Sequence, residues 1–103
     1  GYIDTILIPK PILGNNTAIL LEYKHEEVKN ENALAKYAKK GLEQIDIKKY
    51  YAKLKDFPHV DTVVKIGMAF FKKNVEVIYE TQDLSELIKN ADIEVPLAIE
   101  NSK

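Results

Sequence analysis

The sequence has no cysteine, which excludes disulfides, thiolate nucleophiles and cysteine-bound zinc together. A reducing compartment is permitted, and a cytoplasmic setting is the expectation. Arginine is missing too: all fifteen basic residues are lysine. Without the planar guanidinium fork there is no bidentate reader of a guanine edge. A nucleic acid would be held by its backbone, with salt-sensitive affinity and little sequence preference. The longest apolar run falls far short of the roughly 20 residues that cross a bilayer, so no membrane partner is expected. No basic-plus-apolar leader opens the chain. There is no glycine-rich phosphate loop, internal repeat or low-complexity stretch. The two histidines, His25 and His59, have no partner spacing. They read as surface residues rather than ligands or bases.

What remains is an ordinary globular composition. With 103 residues, 46% of them hydrophobic, the chain is at most one domain with one modest core. The net charge of −1 points to no partner, but its distribution is uneven. Residues 33–55 carry seven lysines against Glu43 and Asp46. Residues 76–103 carry seven acids against Lys89 and Lys103. The first segment can meet phosphates and the second cannot. The chain starts on Gly1, its only methionine is Met68, and a strand-like pattern begins at once. The expectation is a fragment of a longer protein.

Hydrophobic period places the elements. Tyr2 to Ile8 and Thr17 to Lys24 are β-branched runs separated by a Pro, Gly and Asn loop, the pattern of an antiparallel hairpin. From Glu31 to about Lys55, Leu34, Ala38, Leu42 (or Gly41), Ile45 and Ala52 recur at helical steps, which predicts one long amphipathic helix. Phe57-Pro58 ends it. Thr62 to Phe71 is nearly all apolar and reads as a strand buried on both faces. Lys72-Lys73-Asn74 is a turn. Val75 to Tyr79 alternates as an edge strand, and Asp83 to Lys89 forms a short helix capped by Asp83 or Thr81. Ala91 to Lys103 reads as a tail. The expected class is α/β (α+β), a mixed sheet with the long helix packed on one face. Residues 1–80 form the core, and residues 81–103 the short helix and acidic tail.

The hairpin register concentrates the chemistry. If Asp4 lies opposite Glu22, Ile6 faces Leu20, Tyr2 faces Lys24 and Ile8 faces Ala18. Asp4, Glu22 and Lys24 then share one face of the ribbon. Two opposed carboxylates repel and need a cation. Lys24 supplies one charge. A divalent Mg²⁺ or Mn²⁺ supplies two and takes oxygen ligands. Such an ion polarises a phosphate and acidifies bound water. Glu-x-Lys on a strand is by itself most often a solvated ion pair. Here the apolar neighbours Ile19, Leu20 and Leu21 predict a strand buried on both faces, where isolated charge is costly.

Asp4, then Leu21-Glu22-Tyr23-Lys24, then Gly41-Leu42-Glu43-Gln44-Ile45 with Lys48-Lys49-Tyr50, then Lys65-Ile66-Gly67-Met68-Ala69-Phe70 occur in order. In this it resembles the PD-(D/E)XK nuclease superfamily, in the bacterial branch usually found C-terminal to an AAA-ATPase-like domain. The resemblance spans roughly residues 1–79. It implies a restriction-endonuclease-like fold with an α-β-β-β-α-β core, of which this chain shows neither the first helix nor the first strand: an N-terminally truncated core. It implies metal-dependent phosphodiester hydrolysis, with DNA as the expected substrate. Asp4 and Glu22 would hold the metal, Lys24 would be catalytic and Gln44 would complete the site. The Tyr23 backbone carbonyl is a further candidate metal ligand. On a continuous helix Lys40, Gln44, Lys48 and Tyr51 form one stripe, whereas the family pattern selects Tyr50. Lys40, Lys48, Lys49 and Tyr50 are the candidate nucleic-acid contacts. Tyr2 stands where the branch often has arginine. A nuclease-fold module without catalysis, binding protein or nucleic acid, is the alternative.

Overall fold

A computed structural model describes residues 1–12 and 14–93. Four strands and three helices alternate as β1 (Tyr2–Leu7), β2 (Thr17–Lys24), α1 (Leu34–Glu43), α2 (Ile47–Leu54), β3 (Thr62–Phe71), β4 (Asn74–Asp83) and α3 (Leu84–Asn90). A single 3-10 turn, Glu31–Ala33, leads into α1, and the Asn30 side chain caps it by accepting from the Ala33 N–H at 3.0 Å. The strands form one sheet in the order β1-β2-β3-β4. β2 and β3 are parallel and the two outer pairs antiparallel. The architecture is a mixed α+β sheet. No helix among the described residues is long and apolar enough to cross a membrane.

The expected hairpin register is the observed one, with Tyr2 opposite Lys24, Asp4 opposite Glu22 and Ile6 opposite Leu20. β1 ends at Leu7, so the expected Ile8–Ala18 pair lies beyond it. The centre of the hairpin turn at Leu13 lies outside the described residues. β4 runs past its alternating stretch to Asp83 because it pairs residue for residue with all of β3. An edge strand takes its hydrogen bonds from one neighbour and needs no apolar face to continue.

All three helices lie on one face of the sheet, so the expectation of strands buried on both faces fails. Ala18, Leu20 and Glu22 of β2 and Val63, Gly67 and Ala69 of β3 are buried beneath the helices. Their neighbours Ile19, Leu21, Val64 and Ile66 are only half-buried, and Ile3, Leu7, Val75, Val77 and Tyr79 extend the same open face. The core joins Ala18, Leu20 and Val63 to Leu42, Ile45, Ile47, Tyr50, Leu54, Leu84 and Leu87. Each large aliphatic side chain buried there contributes about 1.5–3 kcal/mol. Ala91 and Ile93 pack against this cluster, so the expected tail begins as part of the core; residues 94–103 lie outside the described residues.

Gly67 sets how closely α1 approaches. A Cβ at that position would lie 2.1 Å from the Ala38 carbonyl oxygen and 2.5 Å from the Leu42 nitrogen. Only glycine lets the helix backbone rest on β3 there. Gly41 in turn lets α1 meet Tyr2, since its Cβ would be 3.0 Å from Tyr2 Cε1.

The expected long helix is two helices. α1 closes at Gln44, whose N–H donates to the carbonyls of Lys40 and Gly41. Asp46 is extended (φ −95°, ψ 103°), and its carboxylate accepts from the Lys48 N–H at 3.0 Å, capping α2. The physical reason is the burial of both Ile45 and Ile47. On one helix, residues two apart point about 200° from each other, so both could not enter one core. The break resets the phase. Ile47, Tyr50 and Leu54 become the buried face of α2, and the expected core residue Ala52 is exposed.

Candidate active site

β1, β2, the end of α1 and the start of α2 enclose a cavity of about 340 Å³ lined by Tyr2, Asp4, Glu22, Gln44, Asp46, Lys49 and Tyr50. The strands bring Asp4 and Glu22 together because directly opposed residues share a face. Glu22 is 5% exposed and is the one buried charged residue among those described. Its carboxyl is pushed up to about 7, first by burial and then by the hydrogen bond and charge of Asp4. Asp4 is held below the usual carboxylate range by that same hydrogen bond and by Lys49. The pair thus behaves as a carboxylate–carboxylic acid couple, with Glu22 keeping the proton longer.

Lys49 reaches across from α2 and donates to Asp4 Oδ2 at 2.6 Å. Its ammonium pKa is raised by that bond. The next residue, Tyr50, is only 4% exposed. Its hydroxyl is buried with no hydrogen-bond partner. Burial, then the charges of Asp4 and Glu22, push it up to about 12, so it remains a protonated donor. Asp46 at the N-cap and Lys49 and Tyr50 in the first turn of α2 bring the start of that helix to the cavity.

Lys24 is on the expected face but does not line the cavity. Its ammonium bonds Glu26 Oε1 at 2.8 Å. It also lies 5.4 Å from the ring centre of Tyr2 and 5.2 Å from that of Tyr37. The Tyr2 hydroxyl donates to the Tyr37 carbonyl at 2.8 Å, and this bond holds the aromatic slot together. The carboxyl of Glu26 is held below its ordinary range by its hydrogen bond with Lys24. The register therefore unites two of the three expected ionisable groups and seats the third beside them, behind Tyr2.

The remaining candidates divide. Gln44, Lys49 and Tyr50 line the cavity; Lys40, Lys48 and Tyr51 do not. The expected Lys40–Gln44–Lys48–Tyr51 stripe fails because the helix breaks at residues 44–46. That break turns Tyr50 inward. Tyr23 points to the open face, edge-on to Phe70 with ring centres 6.2 Å apart, and does not line the cavity. His59 bonds the Pro9 carbonyl oxygen through Nε2 at 2.7 Å, a structural use. Sequence reasoning missed Asp46 and Tyr2 as cavity residues. Asp46 carried a signal, an N-cap residue type before Ile47; Tyr2 carried one in its register opposite Lys24.

Among the described residues no three His, Asp or Glu side chains cluster closely enough to form a complete metal cage. Mg²⁺ does not need one. It is commonly held by one or two carboxylates, with water and substrate phosphate as the other ligands. The cavity walls carry three carboxylates against one ammonium, and the Tyr50 hydroxyl is an orphaned donor in the same walls. Asp4 and Glu22, in direct register, are the residues that could hold a divalent cation. No protein-family model, no curated protein and no solved structure matches the chain.

Proposed function

We propose that this domain hydrolyses phosphodiesters in a metal-dependent reaction of the PD-(D/E)XK type, with DNA as the substrate. The observation that supports this most is the Asp4–Glu22 pair, in direct register on the helix-covered face and sharing a cavity with Gln44. In this reading Asp4 and Glu22 hold Mg²⁺ or Mn²⁺, which supplies Lewis acidity toward the phosphate and toward water. Glu22 would ligate the ion as a carboxylate, its proton passing to solvent. Gln44, exposed at the cavity rim, orients the attacking water through its amide. Lys24 exchanges Glu26 for the substrate and stabilises the charge developing on the phosphate. Lysines 40, 48 and 49 supply backbone attraction that weakens steeply with salt. The restriction-endonuclease-like fold, and an upstream ATPase-like domain as a partner, come with the same resemblance.

The test is cleavage of plasmid and single-stranded DNA with Mg²⁺ or Mn²⁺, in wild type, Asp4→Ala and Lys24→Ala. Cleavage that needs metal and disappears in both variants is the expected result. Cleavage by wild type that persists in Lys24→Ala rejects the assignment of that residue.

A second reading is a binding module of the same architecture without catalysis. The fixed position of Lys24 between Glu26, Tyr2 and Tyr37 favours it. Its signature is a folded protein that retains DNA but neither binds Mn²⁺ nor cleaves.

A further inference from the structure

Lys49 differs from Lys40 and Lys48 in lining the cavity. It is the one cation among the residues lining the cavity. Its ammonium rests on Asp4 Oδ2 at 2.6 Å while its side chain remains 64% exposed. An exposed lysine bonding an exposed acid is ordinarily a weak, interchangeable contact. Here the acid is half of an opposed pair, and its other half, Glu22, is buried. The pair needs positive charge wherever it can be found. Lys49 delivers it from a flexible stem that can swing away without moving the α2 backbone. The α2 backbone itself is fixed by the Asp46 cap and by buried Ile47, Tyr50 and Leu54.

We propose that the Lys49 ammonium is the resting counter-ion of the Asp4–Glu22 pair, released by divalent-cation binding and then available to the substrate phosphate. This rests on the metal-dependent reading of the site. It assigns Lys49 two successive partners. In the resting protein it covers the Asp4 carboxylate, directly opposite buried Glu22. Once Asp4 turns to the metal, like charge drives the ammonium off. It then remains at the cavity, which it lines together with Gln44 and Asp46. The freed ammonium is suited to a phosphate monoanion or diester. Metal loading and phosphate binding are thereby coupled through one side chain: an empty site holds its phosphate-binding lysine back.

The test is direct Mn²⁺ binding, read by the loss of the free-ion paramagnetic resonance signal, in wild type, Lys49→Met and Lys53→Met. Lys53 is exposed on the same helix but outside the cavity, so it controls for net charge. Lys49→Met is expected to bind Mn²⁺ about five- to tenfold more tightly than wild type, because no ammonium has to be displaced. Lys53→Met is expected to match wild type. On the Mn²⁺-loaded proteins, inorganic phosphate should bind several-fold more weakly to Lys49→Met. Lys49→Gln repeats both measurements if the methionine variant folds poorly. Equal Mn²⁺ affinity in wild type and Lys49→Met overturns the counter-ion role and leaves the metal-dependent reading standing. An equal gain in Lys53→Met also overturns it. No Mn²⁺ binding by any folded variant overturns that reading, and the counter-ion role with it.

Discussion

Asp4 and Glu22 face each other directly across the β1–β2 ladder, yet their carboxyl groups are shifted in opposite directions. The difference follows from burial. Glu22 lies beneath the helices, while Asp4 sits at the rim with Lys49. For Glu22 the folded value of about 7 exceeds the ordinary 4.5. Between these values the unfolded chain has lost a proton that the folded chain keeps, so stability falls as pH rises from about 4.5 to about 7 and levels off above. The loss from this group is on the order of 3 kcal/mol. Asp4 acts oppositely and at lower pH: its stabilisation is present above its ordinary value and lost as pH falls through the depressed one. Denaturant midpoints measured in chelator across this range should show the decline in wild type, and Glu22→Gln should flatten it. The same slope in both proteins would contradict the burial account.

The orphaned hydroxyl of Tyr50 makes a second prediction. A buried donor without a partner costs about 1–3 kcal/mol. Tyr50→Phe removes that donor and keeps the ring in the core. The variant should be as stable as wild type, or more stable by up to about 2 kcal/mol, in urea denaturation. A clear loss of stability would mean that the hydroxyl is hydrogen-bonded in solution.

Gly67 supports the site from below. Gly67→Ala places a methyl group 2.1 Å from the Ala38 carbonyl oxygen, a backbone atom that cannot yield alone. α1 has to lift from β3, at a cost of about 3 kcal/mol. Since α1 ends at Gln44, the same shift displaces the cavity wall. Chemical denaturation should show the loss; a variant within about 0.5 kcal/mol of wild type would show that the helix rides higher than this contact requires.

The Asp46 cap can be tested separately from the carboxylate pair. Asp46→Ala should cost about 1 kcal/mol, the usual worth of an N-cap. Asp46→Asn or Asp46→Ser, which cap as well, should restore it. Thermal unfolding of the three variants gives the comparison. A failure of Asn and Ser to rescue would mean that the carboxylate acts through its charge in the cavity and not as a cap.

Much of this molecule was decided locally. The β-branched runs, their loop and the parity of side chains along a strand determined the Asp4–Glu22 opposition, because register in a hairpin follows from pattern and turn. The buried positions of α1 followed from its period. Tertiary packing decided the rest. One uninterrupted period through residues 34–55 could not reveal that Ile45 and Ile47 both seek the same core, a demand met only by breaking the helix and capping it afresh at Asp46. That break, and not the lysine content of the segment, put Lys49 and Tyr50 in the cavity and left Lys40 and Lys48 in solvent. Nor could strand parity tell where a long side chain ends. Lys24 and Glu22 share a face, but the ammonium found Glu26 and two aromatic rings within reach and settled there. Backbone pattern determines the face a residue occupies; the partners available in three dimensions decide what its functional group touches.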